Sequence, residues 1–363
     1  MSADAALILY TFEGITVNTE TAGVWNKRPV FLNNGHMSPA VLLFAAVILF
    51  LCIAGTRISS KSGVPVLMVF IALGMVAGSD GLLKIQFSDY AMTESICTVA
   101  LIFIMFYGGF GTKWETARPS ASKAVVLSAL GTVSTALSVG AFCHIVLKME
   151  LLPAFLMGSV ISSTDAASVF SILRSKRLAL KYNTAPLLEV ESGSNDPFAY
   201  MMTVVILSLM SGSVRVTPLS IAVDVVIQVS AGIAIGVVIA VASLKVLRYA
   251  KLGSSLNSVF LIAAAVGAYA LSSLVGGNGY LATYLAGIII GNAEIRDKKS
   301  LVSFFDAFEN IMQMLIFFLL GLLSFPKEII RTFPTAVLIY LFLTFVARPL
   351  ICFLILKPYR APS

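Results

Sequence analysis

The sequence is poor in charge. Charged residues make up 12% of its 363 positions, about half the share of about 25% usual in a soluble domain. Mean hydropathy is +0.94. Length alone would suggest two or three soluble domains, and this composition excludes them. Histidine is scarcer still, with 2 residues, and the 4 cysteines, Cys52, Cys97, Cys143 and Cys352, sit singly in apolar runs. None of their spacings suits a zinc or redox site. No Walker A loop is present, which argues against an ATP-driven pump. The Thr-Val-Gly-Tyr-Gly filter of potassium channels is also missing. Residues 1–37 lack the basic start and long apolar core of a signal peptide. They read as a polar tail, and residues 38–363 as one membrane unit.

What the chain has in abundance is long apolar runs. About 20 apolar residues span a bilayer as a helix. Backbone groups in lipid must pair internally, so helices or a closed barrel are the choices. These runs are continuous rather than alternating, which predicts an all-α polytopic membrane protein. Eleven segments are expected, over 38–56, 64–79, 94–111, 122–148, 151–173, 184–211, 217–244, 256–275, 279–293, 301–324 and 333–356. The short second and ninth carry glycine and need not span fully. Basic residues test this map. Arg57 and Lys61, then Lys113, Arg118 and Lys123, then Arg174 to Lys181, Lys245 to Lys251 and Arg296 to Lys299 fall in alternate loops, and the loops between are poor in them. The alternation places the N-terminus outside and the C-terminus in the cytoplasm. The net charge of +7 is therefore read as an orientation signal rather than as a nucleic-acid surface.

An internal repeat is visible at low contrast. Leu73-Gly74 and Gly78 in the second segment match Ala286-Gly287 and Gly291 in the ninth at an offset of 213 residues. Leu101-Ile102-Phe103 in the third matches Leu315-Ile316-Phe317 in the tenth at 214. Seven helices separate the copies, an odd number, so they would insert with opposite topology, a signature of secondary transporters. Partners of the fifth and sixth segments would fall near 364–424, beyond Ser363. The second repeat is thus expected to be incomplete, as in a fragment, a frameshifted product or half of a split system.

The fifth and sixth segments carry the chemistry. Ser162, Ser163 and Thr164 precede Asp165 at mid-membrane, where an ionised carboxylate is costly and marks function by default. Hydroxyl side chains compete for backbone hydrogen bonds and loosen a helix. The run reads as an interrupted helix near Asp165, with Thr164 and freed carbonyls coordinating a cation, or with Asp165 capping the break. In the sixth segment, Glu189, Ser192 and Asp196 share one helical face, and Glu191 and Asn195 another. Pro197 lacks an N–H and frees the carbonyl of Gly193. The Ser192 hydroxyl, that carbonyl and the Asp196 carboxylate are hard oxygen ligands of the kind alkali cations need. A carboxylate out of water must be neutralised, by a proton or by a metal ion. Competition for one carboxylate is the simplest device for exchanging them. Arg348, in the last segment, needs an acidic partner, with Glu191 and Glu189 as candidates. Asp306 and Glu309 are expected to open the tenth segment in a helix-dipole role, and His144 to lie at the interface.

Ser163-Thr-Asp-Ala-Ala167, Glu189-x-Glu-Ser-Gly-Ser-Asn-Asp-Pro197 and Ala347-Arg-Pro349 resemble the bacterial monovalent cation:proton antiporters of the NhaP type, most closely their potassium/proton branch. The resemblance covers about residues 40–360. It implies an inverted-repeat fold and a homodimer in the cytoplasmic membrane that acts in pH homeostasis. It implies exchange of K+ or Na+ for protons by alternating access, with no other cofactor. Asp196 would bind cation and proton, and Thr164, Ser192 and Asp165 would line the site with Ser163 beside them. Asn195 would stabilise the crossed helices, and Arg348 would pair with Glu191. An Asn-Asp pair implies electroneutral exchange. Tyr107 stands where related antiporters often carry an acid. The readings set against exchange are a channel-like or regulatory cation-binding subunit, an inactive fragment, and an intramembrane hydrolase built on Ser192.

Overall fold

Among the described residues, eleven helical rods carry the apolar runs. A computed structural model describes residues 32–33, 36–37, 39–62, 64–164, 184–211, 218–250 and 253–359. A two-residue antiparallel pair, β1 (Leu32–Asn33) and β2 (His36–Met37), precedes the helices. The first rods are α1 (Pro39–Ser62), α2 (Val66–Ala77) and α3 (Tyr90–Gly111). Next, α4 (Trp114–Val126) and α5 (Thr132–Ile145) form one rod through a π-helical turn at Leu127–Gly131. Then come α6 (Leu151–Ile161), α7 (Thr184–Met210), α8 (Pro218–Tyr249), α9 (Ser254–Leu274), α10 (Gly279–Gly291) and α11 (Lys298–Leu322). The last rod joins α12 (Pro326–Phe342) to α13 (Arg348–Leu356) through a second π turn at Leu343–Ala347.

Among the described residues 7 rods are long and apolar enough to cross a membrane. Helices α2, α6 and α10 are apolar but have only 12, 11 and 13 residues. At 1.5 Å per residue they reach about 17–20 Å, short of a hydrocarbon core of about 30 Å. The expected shortness of the second and ninth segments is therefore observed. The segment expected over 151–173 is helical only to Ile161 within the described residues. Exposed apolar side chains such as Leu43 and Phe50 on α1 and Val226 and Val238 on α8 fit lipid-facing surface.

Two boundaries depart from expectation for one reason. The rod expected from 122 begins at Trp114, and the one expected from 333 begins at Pro326. Both starts are polar, so a hydropathy window passes over them. In α4 the buried residues Ala117, Ala121 and Ala124 recur at helical spacing, and this small-residue face packs on α7. Pro326 occupies the helix start, where its missing N–H costs nothing. The dipole role expected for Asp306 and Glu309 is corrected as well. Helix α11 starts at Lys298 and has no acid in its first turn, because the basic run Lys298-Lys299 is already helical. Instead, the Tyr107 hydroxyl donates to Asp306 Oδ1 at 3.0 Å.

The repeat emerges in the packing. A methyl group on Gly74 of α2 would lie 2.2 Å from the Phe318 carbonyl oxygen of α11, and one on Gly287 of α10 would lie 2.3 Å from that of Phe106 on α3. The reverse contacts match: Gly321 would meet the Ile71 carbonyl at 2.1 Å and Gly109 that of Tyr284 at 2.2 Å. A third pair sets Gly78 on Leu322 and Gly291 on Phe110. Each copy's first helix thus crosses the other copy's second helix, with backbone against backbone. Equivalent positions lie 213 residues apart between α2 and α10, as expected, but 212 apart between α3 and α11. The Leu-Ile-Phe match at 214 is a coincidence of common apolar residues.

Two packing groups result. One holds α2, α3 and α8 to α11, with α1 against α2. The other holds α4 to α7 with α12 and α13. They meet chiefly where α7 lies against α10 and α3.

Candidate functional site

Helix α6 loses its hydrogen bonding at a run of hydroxyls. The Ser159 hydroxyl donates to the Phe155 carbonyl at 2.9 Å, and the Ser162 hydroxyl to the Ser159 carbonyl at 2.6 Å. Such back-bonding offers carbonyls a partner other than the next N–H. The chain leaves the helix at Ser162, and Ser163 and Thr164 have no regular structure. Asp165 lies outside the described residues. Within the described residues the helix thus ends where the interruption is expected.

This broken end is stitched to α7. The Ser163 hydroxyl donates to Asp196 Oδ1 and, at 3.1 Å, faces Asn195 Oδ1. Asn195, wholly buried, turns its amide to Thr164 and donates to the hydroxyl at 3.0 Å and the carbonyl at 3.4 Å. The Ser192 hydroxyl donates to the Thr164 carbonyl and lies 3.3 Å from the Thr164 hydroxyl. Four residues read from sequence as site candidates, Thr164, Ser163, Ser192 and Asp196, therefore come together with Asn195. Their oxygens are all hard donors. Thr164 is exposed and Asp196 half-buried, whereas Asn195 and Ser192 are buried. The oxygen cluster consequently has one open side and one wall of protein. Among the described residues no three His, Cys, Asp or Glu side chains gather as for a transition metal.

Arg348 holds the arrangement from behind. Its Nη1 lies 3.3 Å from Glu191 Oε1, and its Nη2 donates to the Ser162 carbonyl at 2.6 Å. Of the two candidate acids, Glu191 is thus the partner, and the Glu189 side chain is outside the described residues. The carbonyl contact was not legible in sequence. It places a cation at the C-terminal end of α6, where the helix dipole favours positive charge. The π turn Leu343–Ala347 ends immediately before Arg348. The other π turn packs on both α7 and α13, and π turns often accompany functional sites.

The opposite packing group touches α7 along one stripe. Tyr284 covers Gly193, where a methyl group would lie 2.7 Å from the tyrosine oxygen. Asn278 Nδ2 donates to the Pro197 carbonyl at 3.2 Å. Tyr280 meets the Tyr200 ring edge-on at 5.0 Å. Sequence reasoning missed all three. Asn278 before an apolar run is a recognisable helix start, but nothing local reveals its reach to α7. His144 is exposed, with Nδ1 2.8 Å from the Met149 carbonyl oxygen.

The family described as sodium/hydrogen exchanger, transmembrane, matches residues 46–362. The K(+)/H(+) antiporter NhaP of Alkalimonas amylolytica is 34% identical over 324 residues, which are 89% of this chain and 56% of that protein. The Na(+)/H(+) antiporter 1 of Methanocaldococcus jannaschii is 27% identical over 312 residues, covering 82% of this chain and 72% of that protein. The structure of the sodium proton antiporter MjNhaP1 from Methanocaldococcus jannaschii at pH 8 shares the fold, with a TM-score of 0.76 at 24% identity, over 89% of this chain and 82% of that one. The chain spans little more than half the length of the NhaP-type potassium/proton antiporters it matches, 56% and 57% for two of them. The match over residues 46–362 shows that this multi-pass membrane chain belongs to the sodium/hydrogen exchanger transmembrane family.

Proposed function

We propose that the chain exchanges a monovalent cation, K+ or Na+, for a proton across the cytoplasmic membrane, one for one. The observation that carries this is the Ser163 hydroxyl on the Asp196 carboxylate, at the point where α6 breaks against α7. A carboxylate among hydroxyls and carbonyls, with one open side, can be neutralised by either cargo but not by both together. Asp196 is the exchanging group, Thr164 and Ser192 supply oxygen to the cation, and Asp165 is a further acid proposed for the site on the family resemblance. Asn195 holds the break to α7 while the cargo changes, and the Arg348–Glu191 pair fixes the far side. Residues 38–363 act as one exchanger unit, assembled as a homodimer, with residues 1–37 outside it. The N-terminus lies outside and the C-terminus in the cytoplasm, as the basic loops favour.

Proton movement in everted vesicles tests the reading, with a pH-sensitive dye in the lumen and K+ or Na+ added outside. Cation-driven proton efflux is expected, and its loss in Asp196→Asn at unchanged insertion. A well-inserted wild type that moves no protons would overturn exchange. Cation current without proton counter-flow would favour the channel reading instead.

A further inference from the structure

We infer that Asn278 is a latch that holds the site helix α7 at one level against the opposite packing group. Exchange at a single carboxylate needs the site to face each side in turn. The two groups of helices meet chiefly at α7 against α10 and α3, so that boundary is where relative movement must occur. The inference rests on the exchange reading for its function, though not for its geometry.

Asn278 is anchored from three directions on its own side. Its Oδ1 caps α10 by accepting from Leu281 N–H at 2.9 Å. Its backbone N–H donates to the Gln228 carbonyl of α8 at 2.9 Å. The turn before it is wedged into α8: a methyl group on Gly277 would meet Ala231 Cβ and Gly232 N at 2.9 Å, and Gly276 has φ of +76°, which favours glycine. The side chain is 3% exposed. So fixed, it extends Nδ2 across the boundary to the Pro197 carbonyl, next in sequence to Asp196. Elsewhere along α7 the Tyr284 ring covers Gly193 and the Tyr280 ring meets Tyr200 edge-on. The amide bond is directional and must break when α7 shifts. It therefore weights the equilibrium between the two facings, and Asn278 is a positioning residue for exchange.

The test uses Asn278→Ser, which keeps a good cap for α10 but cannot reach Pro197. One ordinary hydrogen bond weights a two-state equilibrium by about two- to tenfold. Cation-driven proton flux is measured in everted and right-side-out vesicles. The apparent KM for the cation is expected to rise at one membrane face and fall at the other, so that the ratio of the two changes by about that factor. A purely structural role would lower the maximal rate and leave the KM values unmoved or shift them together. That result, in protein that inserts and unfolds at the wild-type temperature, would overturn the latch and leave exchange standing. If the wild type carries no exchange, the exchange reading falls. The latch is then decided by hydrogen–deuterium exchange on purified protein. Faster exchange confined to 193–200 and 278–284 is expected in Asn278→Ser, and unchanged exchange would overturn the latch. Should that variant fail to insert, Asn278→Asp, which retains the cap oxygen and side-chain size but removes the amide donor, is put through both readouts.

Discussion

Arg348 binds the carbonyl of Ser162 as well as the carboxylate of Glu191, and this double attachment makes it more than an ion-pair partner. The side chains are 18% and 5% exposed, so the pair is largely out of water. Removing one member of a buried pair costs about 3–5 kcal/mol, because the other charge is left uncompensated. Arg348→Ala is expected to cost that much in denaturant unfolding, since it strands both Glu191 and a carbonyl at the helix end. Glu191→Gln also leaves the guanidinium without its counter-charge, but keeps an acceptor and the Ser162 carbonyl for it, and is expected to cost less, about 3 kcal/mol, at the low end of that range. Arg348→Lys should fall between, because a point charge cannot serve both acceptors with a fork. Equal losses for Arg348→Ala and Glu191→Gln would show that the Ser162 carbonyl contributes nothing.

Asn195 is the strap between the broken helix and α7, and the strap works through its donor. An aspartate there could still accept from Ser163 but, while ionised, could donate nothing to Thr164. Asn195→Asp is therefore expected to destabilise the protein near neutral pH by about 1–3 kcal/mol, the usual effect of leaving buried polar groups unpaired. The sign with pH follows from the donor. A protonated carboxyl regains a hydrogen to give, so the deficit relative to wild type should shrink as pH falls. Unfolding temperatures of the two proteins at about pH 8 and about pH 5 would check this. A deficit independent of pH would mean that the Thr164 bonds are not what Asn195 supplies.

Why was so much of this site readable in sequence, and the rest not? The chemistry of Ser163, Thr164, Ser192 and Asp196 is expensive in lipid, so its presence in apolar runs is itself a signal. Helical spacing then places Ser192 and Asp196 on one face without reference to any other element. The number of rods is legible because each must be apolar over a fixed length. Contacts between distant rods leave no such trace. Glu191 and Arg348 could be matched because two buried charges must find each other, whereas the Ser162 carbonyl is a backbone group present at every residue. Asn278 and Tyr107 are ordinary polar residues near helix ends, and only the fold aims them at Pro197 and Asp306. The polar starts of α4 and α12 were missed because a helix needs lipid-like composition only where it is in lipid.

The glycine crossings yield the last prediction, and its pattern matters more than its size. Alanine at Gly74, Gly321, Gly109 or Gly287 would place a methyl group within 2.1–2.3 Å of a carbonyl oxygen on the opposing helix. Neither backbone can yield without separating the rods, so each substitution is expected to cost about 1–3 kcal/mol or more, as overpacking does. Gly108 and Gly267 have nothing within 4 Å. Alanine there is expected to be neutral or stabilising by up to about 1 kcal/mol, from helix propensity alone. The repeat then dictates how pairs combine. Gly74 and Gly321 belong to one crossing, so once either has pushed α2 from α11 the second methyl meets less resistance, and their costs should sum to less than additive. Gly74 and Gly287 are equivalent positions in different crossings with no shared partner, so their costs should be similar singly and additive together. Unfolding of the single and double variants separates these cases. Non-additivity between Gly74 and Gly287 instead would mean that the two crossings yield as one unit, and that the packing is not built from two independent copies of the same contact.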